Sequence, residues 1–218
     1  MDDIIVRVLR AVTCHTRLRI LSRLVDAEEL TPSKLAHALR LRRDLVSAHL
    51  ARLDSAGLVL RRRSGPRCHC VARSPYGEAT FSGQVAAWLY DALKAGAARP
   101  AGALPPPHGR QAGPEPSPQS HRAIFDAATA ATNLRRIQIL RRLAQGGAAD
   151  SPTLGRELHM SETAVSRHLA KLARRGYVRL SRQKHRILCQ LAETHKTPLH
   201  GALFDIVAAH WGKGTLRS

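Results

Sequence analysis

Apolar residues return every three or four positions along most of this 218-residue chain, and twice that period gives way to short runs on either side of a turn. Spacing of three and four puts side chains on one face of a helix, so these stretches predict amphipathic helices with one buried stripe each. In the first half, Ile4, Ile5, Val8, Leu9 and Val12 predict a helix over 2–12, and Leu18, Ile20, Leu21 and Leu24 predict a second over 15–25. Thr31 before Pro32 marks a third helix, a capping hydroxyl followed by proline at the first helical position, with Leu35 and Leu39 facing inward. After a tight turn near 40–42, a fourth helix is expected over 43–56. Residues 58–63 and 67–72 flank Ser64, Gly65 and Pro66 and predict a β-hairpin. A closing helix over 76–95 would bury Phe81, Val85, Trp88, Leu89 and Leu93.

The same order then recurs. Helices are expected over 121–132, over 135–144, from Ser151 and Pro152 with Leu154 and Leu158 inward, and over 162–175. A hairpin follows, 177–182 and 186–191 around Gln183, Lys184 and His185, and a last helix over about 197–212 carries Leu199, Leu203, Ile206, Val207 and Trp211. Sliding the chain by 119 residues lays Ala11–Ala72 on Ala130–Leu191 without a gap and matches 20 residues identically, which identifies an internal duplication. Between the copies, residues 96–120 hold seven of the twelve prolines and lack apolar periodicity, the composition of a linker. The expected organisation is therefore a domain over 1–95, a linker over 96–120 and a domain over 121–218.

The densest run of matches pairs 42–57 with 161–176 and joins Val46 to Val165, Ser47 to Ser166, His49 to His168, Leu50 to Leu169, Leu53 to Leu172 and Gly57 to Gly176. On a helix Val165, Leu169 and Leu172 form the buried stripe, while Thr163, Arg167, Ala170, Lys171 and Arg174 fall on the opposite side. Ser161 is a good N-cap, Glu162 suits the positive end of the helix dipole, and Gly176 suits the left-handed stop. A free face that begins with small and basic side chains fits the major groove of DNA. Candidate base and backbone contacts are Arg43, Asp44, Ser47, Ala48, His49 and Arg52 on the first helix. On the second they are Ser161, Thr163, Ser166, Arg167, His168 and Lys171. The hairpins add Arg61, Arg62, Arg63 and Arg67, then Arg179, Arg182, Lys184 and Arg186, for phosphate or minor-groove contact. His49 and His168 flank the buried stripe, and two roles remain open for them. One is packing with a ring nitrogen bonded locally; the other, which a resemblance to winged-helix regulators implies, is contact with a phosphate at the groove edge.

Charge strengthens the nucleic-acid reading. The formal net charge is +19, and both halves are basic: residues 1–94 carry 16 Lys/Arg and 9 Asp/Glu, residues 121–218 carry 17 and 6. No apolar run approaches a transmembrane span, and the acidic, amphipathic start MDDIIVRVLR is unlike a signal peptide, so a soluble cytoplasmic protein associated with the nucleoid and with no membrane partner is expected. Cys14, Cys68, Cys70 and Cys189 do not form a spaced disulfide framework and fit a reducing compartment. Cys68 and Cys70 align with Ile187 and Cys189, which predicts an inward apolar hairpin face. There is no phosphate loop, paired-carboxylate helix or nucleophile signature, so no catalytic residue, cofactor or enzyme activity is expected.

With TRLRIL ahead of LVSAHLARLDSAGLV, and RIQIL ahead of VSRHLAKL in the second copy, both units resemble the ArsR/SmtB family of winged-helix transcriptional regulators. The resemblance implies a mainly α fold with small β-hairpin wings (α+β), two tandem winged helix-turn-helix domains that bind double-stranded DNA. Members of that family resemble one another in pairing through their first and last helices, which implies a pseudo-dimer built into one chain and allows a homodimer through the same helices. Two departures matter. The first reading helix begins with Arg42 where a cap is expected, and it shows Asp44, Ala48 and Ser55 where the second has Thr163, Arg167 and Arg174, so the half-sites should differ. Asp44 could repel phosphate or accept a hydrogen bond from a cytosine amino group. The third helices lack the cysteine pair of the family's metal sensors, and His195, His200, Asp205 and His210 are spaced five apart, off any single face, so no metal is expected. The other reading has only the second domain on DNA, with the first serving as an interaction or ligand-sensing module.

Overall fold

The computed structural model describes residues 1–27, 29–65, 67–97, 118–183 and 186–211. The first copy runs α1 (Asp2–Val12), α2 (His15–Val25), α3 (Pro32–Leu39), α4 (Arg43–Ser55), β1 (Leu60–Ser64), β2 (Arg67–Val71) and α5 (Phe81–Ala97). The second runs α6 (Pro118–Thr129), α7 (Leu134–Gly146), β3 (Ala149–Asp150), α8 (Ser151–Glu157), α9 (Glu162–Arg174), β4 (Val178–Gln183), β5 (Arg186–Leu191) and α10 (Pro198–Ala209). This is the mainly α class with small antiparallel hairpins, the α+β winged helix-turn-helix architecture, present twice.

Local chemistry explains the boundaries. Thr31 Oγ1 accepts from the Lys34 amide (3.3 Å), Asn133 Oδ1 from Arg136 (3.3 Å) and Ser161 Oγ from Ala164 (3.3 Å), so α3, α7 and α9 each start on a side-chain cap. α8 starts at Ser151 as expected, and the cap before it is Asp150, whose Oδ1 accepts from Thr153 at 2.9 Å. Arg40 and His159 end α3 and α8 in left-handed backbone at φ 53° and 51°, and Gly57 and Gly176 do so after α4 and α9 at 71° and 77°. Because a side chain disfavours that region, glycine at both of the latter positions lets the chain turn sharply from helix into wing.

α5 differs from expectation at its start. It begins at Phe81, not Tyr76, because Thr80 Oγ1 accepts the Gly83 amide at 3.1 Å and caps it, while Tyr76 lies in the preceding turn. Most of the expected linker, 98–117, lies outside the described residues, and its edges, 96–97 and 118–120, are helical.

Each wing gains a backbone partner that apolar periodicity did not reveal. β1 and β2 pair from Leu60↔Val71 to Ser64↔Arg67, and Leu30 bridges Cys70. In the second copy this bridge becomes the two-residue strand β3, whose Ala149 faces Cys189 in the sheet order β3-β5-β4. Cys70 and Cys189 are buried as expected, but Ile187 is 58 % exposed. Alternation keeps Ile187 on the same face as Cys189, yet the hairpin has by then run past the edge of the core.

Two compact units partition the chain: Ala11–Phe125, and Met1–Arg10 together with Asp126–Ser218. The division therefore departs from the simple order of the two copies, since the first ten residues belong with the second copy and 118–125 with the first. In the first-copy unit His121 Nε2 lies 2.7 Å from Ser22 Oγ, and Phe125 stacks on His15 with ring centroids 5.0 Å apart. In the second-copy unit Asp2 pairs with Arg141, Arg10 Nε donates to the Thr132 carbonyl at 2.9 Å, and Asp126 pairs with Arg175.

The cores are aliphatic. Leu18, Ile20, Leu21, Leu35, Val46, Leu50 and Leu53 are buried in one, and Ile137, Ile139, Leu154, Val165, Leu169 and Leu172 in the other. Each also holds one arginine at the same place. Arg17 Nε donates to the Ala11 carbonyl at 2.5 Å, and Arg136 Nε to Ala130 at 2.7 Å. Both are nearly fully buried, and that burial lowers the pKa of each guanidinium.

Candidate nucleic-acid interface

The buried stripes of α4 and α9 leave one side of each helix free. On α9, Val165, Leu169 and Leu172 are buried, while Ser161, Thr163, Ser166, Arg167, Ala170, Lys171 and Arg174 are exposed. On α4, Val46, Leu50 and Leu53 are buried, Arg43, Asp44, Ala48 and Arg52 are exposed, and Ser47 is half-buried. Leu45 is also exposed, an apolar side chain at the position that Ala164 occupies in the second copy. The capping difference persists, since Arg42 makes no side-chain cap bond. Instead its guanidinium forks onto the carboxylate of Asp44, Nε to Oδ1 at 3.1 Å and Nη2 to Oδ2, and this bond holds the Asp44 pKa below the ordinary carboxylate range. Asp44 is thus an occupied acceptor beside its own counter-charge. The two free faces are chemically unlike: α9 offers Arg167, Lys171 and Arg174, α4 offers Ala48, Arg52 and Ser55.

The wing arginines divide into free and tethered ones. Arg63, Arg179 and Arg182 are exposed, and Arg61 is half-buried across the ladder from Cys70. Arg62 lies 3.8 Å from Glu29, which also approaches His69 at 3.5 Å, and Arg186 lies 3.4 Å from Asp150 while its side chain stays mostly in solvent. Pairs this exposed are weak, so both arginines can exchange carboxylate for phosphate at small cost. The Arg67 side chain and Lys184 lie outside the described residues.

His49 and His168 take the same place in both copies. Each is half-buried with Nδ1 shut inside, and neither Nδ1 has a hydrogen-bond partner, so the expectation of a locally bonded ring nitrogen is not met. Burial first, then Arg17 and Arg52, pushes the His49 pKa down. Burial followed by Arg136, Arg167, Lys171 and Arg135 does the same to His168. Both rings are therefore neutral near pH 7.

The sequence reading singled out neither Arg135, which is exposed at the start of α7, nor Arg136 beside it, which is buried. A basic residue set inside an apolar stripe and repeated at the 119-residue offset, Arg17 and Arg136, was the available signal.

The histidines of the closing segment build an aromatic cluster. His195 and His200 each lie 5.7 Å from the Tyr177 ring, Phe204 lies 5.0 Å from His195, and Trp211 packs edge-on to Phe204 at 5.5 Å. His200 is buried with its pKa lowered, chiefly by that burial, and His210 Nδ1 lies 2.9 Å from the Ile206 carbonyl. Among the described residues, no three His, Cys, Asp or Glu side chains converge as metal ligands would. No helix among them is long and apolar enough to cross a membrane.

Comparison with known proteins follows the duplication. Residues 14–60 match the model of the bacterial regulatory protein, arsR family, and residues 132–187 match that of the MarR family. Among solved structures the chain is similar to HlyU from Vibrio cholerae N16961, at 26% sequence identity, 43% coverage of this chain, 95% of that one and a TM-score of 0.36. No curated protein matches it.

Proposed function

Because the chain is a DNA-binding transcription regulator with two winged helix-turn-helix regions, we propose that it works as a single-chain pseudo-dimer reading two unlike half-sites of one operator. The two domains descend from one duplicated segment. The carrying observation is the exposed, basic side of α9 opposite its buried stripe, matched in position but not in chemistry by α4. On α9, Thr163, Ser166, Arg167 and Lys171 face base edges, with Arg167 suited to a guanine. On α4, Ala48 and Leu45 offer methyl contact and Arg52 a phosphate or guanine. Asp44 is held by Arg42 through one bond to each carboxylate oxygen, so a cytosine amino group would share the carboxylate with that fork. The wings contribute Arg63, Arg179 and Arg182 to the backbone, joined by Arg62 and Arg186 once they leave their carboxylates.

Arg167→Ala should weaken binding to a selected operator by roughly 5- to 150-fold, the worth of one bidentate base contact of about 1–3 kcal/mol, and should weaken mixed-sequence competitor binding much less. Binding titrations against both duplexes measure it, and equal loss on the two would sink the base-reading role. Footprinting tests the second reading, in which only the second copy meets DNA. That reading draws on the missing side-chain cap and the Arg42–Asp44 fork at the start of α4, which leave Arg43 and Arg52 as its exposed cations against Arg167, Lys171 and Arg174 on α9. Two protected half-sites support the pseudo-dimer; one supports the alternative.

A further inference from the structure

One serine of the first wing follows three consecutive arginines. Arg61, Arg62, Arg63 and Ser64 end β1, and Ser64 pairs with Arg67 in the last rung of the ladder. Beyond it Gly65 turns at φ 58°, and a Cβ placed there would meet nothing within 4 Å, so the tip stands clear of the fold. β1 is an edge strand: β2 lies on one side of it, and Leu30 bridges Cys70 on the far side of β2. Arg62, Arg63 and Ser64 are exposed, and Arg61 is half-buried. An extended edge that presents a hydroxyl after basic side chains suits the acidic groove of an arginine-directed serine kinase, which reads the charges ahead of the serine.

The same arginine, three positions ahead, occurs at two other serines, and the fold withholds both. Ser22, after Arg19, is buried in α2, with its hydroxyl donating to the Leu18 carbonyl and lying 2.7 Å from His121 Nε2. Ser55, after Arg52, is the last residue of α4, and its hydroxyl donates to the Arg52 carbonyl at 3.0 Å. The second copy has Leu180, Ser181, Arg182 and Gln183 where the first has Arg61 to Ser64, so its wing lacks both the arginine run and the serine.

The first wing also has room for the anion that would result. Side chains two apart on a strand share a face with those directly across the ladder, which puts Ser64, Arg62 and His69 on one side. Glu29 already sits there, 3.8 Å from Arg62 and 3.5 Å from His69. These four residues and Arg63 line one open cavity of about 390 Å³. A phosphoryl group carries about −1.5 to −2 charge at pH 7 and three strong acceptor oxygens, so on Ser64 it outcompetes the single charge of Glu29 for Arg62.

We propose that Ser64 is a phosphorylation site for an arginine-directed serine kinase, and that its phosphate holds Arg62 and Arg63 to the protein and so releases the first wing from DNA. Ser64 Oγ attacks the terminal phosphorus of the nucleoside triphosphate held by the kinase. The bond from that phosphorus to the bridging oxygen breaks, the nucleoside diphosphate leaves, and the hydroxyl proton passes to a carboxylate base of the kinase. The effect on DNA rests on the wing contacts of the regulator reading above; the modification itself does not.

The test reads the two parts separately. The full chain is incubated with ATP and the catalytic subunit of cyclic AMP-dependent kinase, an arginine-directed probe, and its peptides are mapped by mass spectrometry. One phosphate on Ser64 is expected, absent in Ser64→Ala and slower to form in Arg62→Gln. No phosphate on Ser64 of the folded chain, or phosphate there only after denaturation, overturns the site. Titrations of a mixed-sequence duplex from low to moderate salt then compare the phosphorylated and unaltered chains. Phosphorylation should weaken binding roughly 10-fold or more and lower the slope of log affinity against log salt by about two, one for each arginine withdrawn. Ser64→Ala carried through the same treatment should bind as the unaltered chain does. Equal affinity and slope before and after phosphorylation overturn the release of the wing. If the unaltered chain binds no duplex at all, the regulator reading falls together with that release, and the peptide map still decides the site.

Discussion

A chain that begins at Ala11 should lose the fold of its second-copy unit while its first-copy unit keeps most of its structure. Residues 1–10 belong to the compact unit that holds 126–211, despite preceding the other copy in sequence. Ile5, Val8 and Leu9 are fully buried, Asp2 pairs with Arg141, and Arg10 donates to Thr132. Burying one such aliphatic side chain contributes about 1.5–3 kcal/mol, so three contribute roughly 5–9 kcal/mol as an upper figure, since the unfolded chain already covers some of that surface. Domains as a rule hold only about 5–15 kcal/mol in total. Hydrogen exchange followed by mass spectrometry measures the outcome. Protection should collapse across 134–191 and persist across 15–97, and collapse confined to 15–97 would mean that the helix serves its own copy after all.

The second large effect is expected at the buried arginine. Arg136→Ala removes the donor to two carbonyls and one hydroxyl at the junction of α6 and α7, and leaves a space the size of its side chain. The Ala130 carbonyl is left without a partner, at about 1–3 kcal/mol, while the Thr129 carbonyl keeps the Thr132 hydroxyl at 3.0 Å; the space left adds to the loss and the relief of an expensive buried charge offsets part of it, for a net of about 2–4 kcal/mol. Arg136→Lys separates charge from geometry. It keeps the cation but loses the planar fork that reaches three acceptors at once, so it should recover less than half of the loss. Denaturant midpoints read both variants, and a lysine variant as stable as the unaltered protein would show that charge alone matters there.

Much of the architecture was legible along the chain because its determinants are local. Helical stripes such as Val165, Leu169 and Leu172 depend on spacing of three and four, caps such as Thr31 and Ser161 on a residue three positions away, and Gly57 and Gly176 on one backbone angle. The duplication then carried each assignment from one copy to the other. Errors arose where two local signals competed. At the start of α5 an apolar pattern could be extended back to Tyr76, but the Thr80 cap stopped it.

The candidate interface was readable to the same depth. Side chains on the face opposite a buried stripe must be exposed, so Thr163, Arg167, Lys171 and Arg174 could be placed in advance. What binds to them inside the protein could not. The fork from Arg42 onto Asp44 spans only two residues, yet nothing in the spacing distinguishes it from an Asp44 free to act alone. Glu29 beside Arg62 and Asp150 beside Arg186 join segments far apart in sequence.

Composition, periodicity and the 119-residue repeat by themselves determined that this protein is basic, mainly helical with a hairpin in each half, and built twice; the winged helix-turn-helix plan came from the family resemblance of its motifs. Only the tertiary structure decided which core the first helix joins, which arginines are buried, and which carboxylates hold Arg42, Arg62 and Arg186. The physical reason is that an apolar stripe shows that a helix must be covered but carries no information on what covers it. An arginine in a sequence reads alike whether it lies in solvent or donates to carbonyls inside the fold.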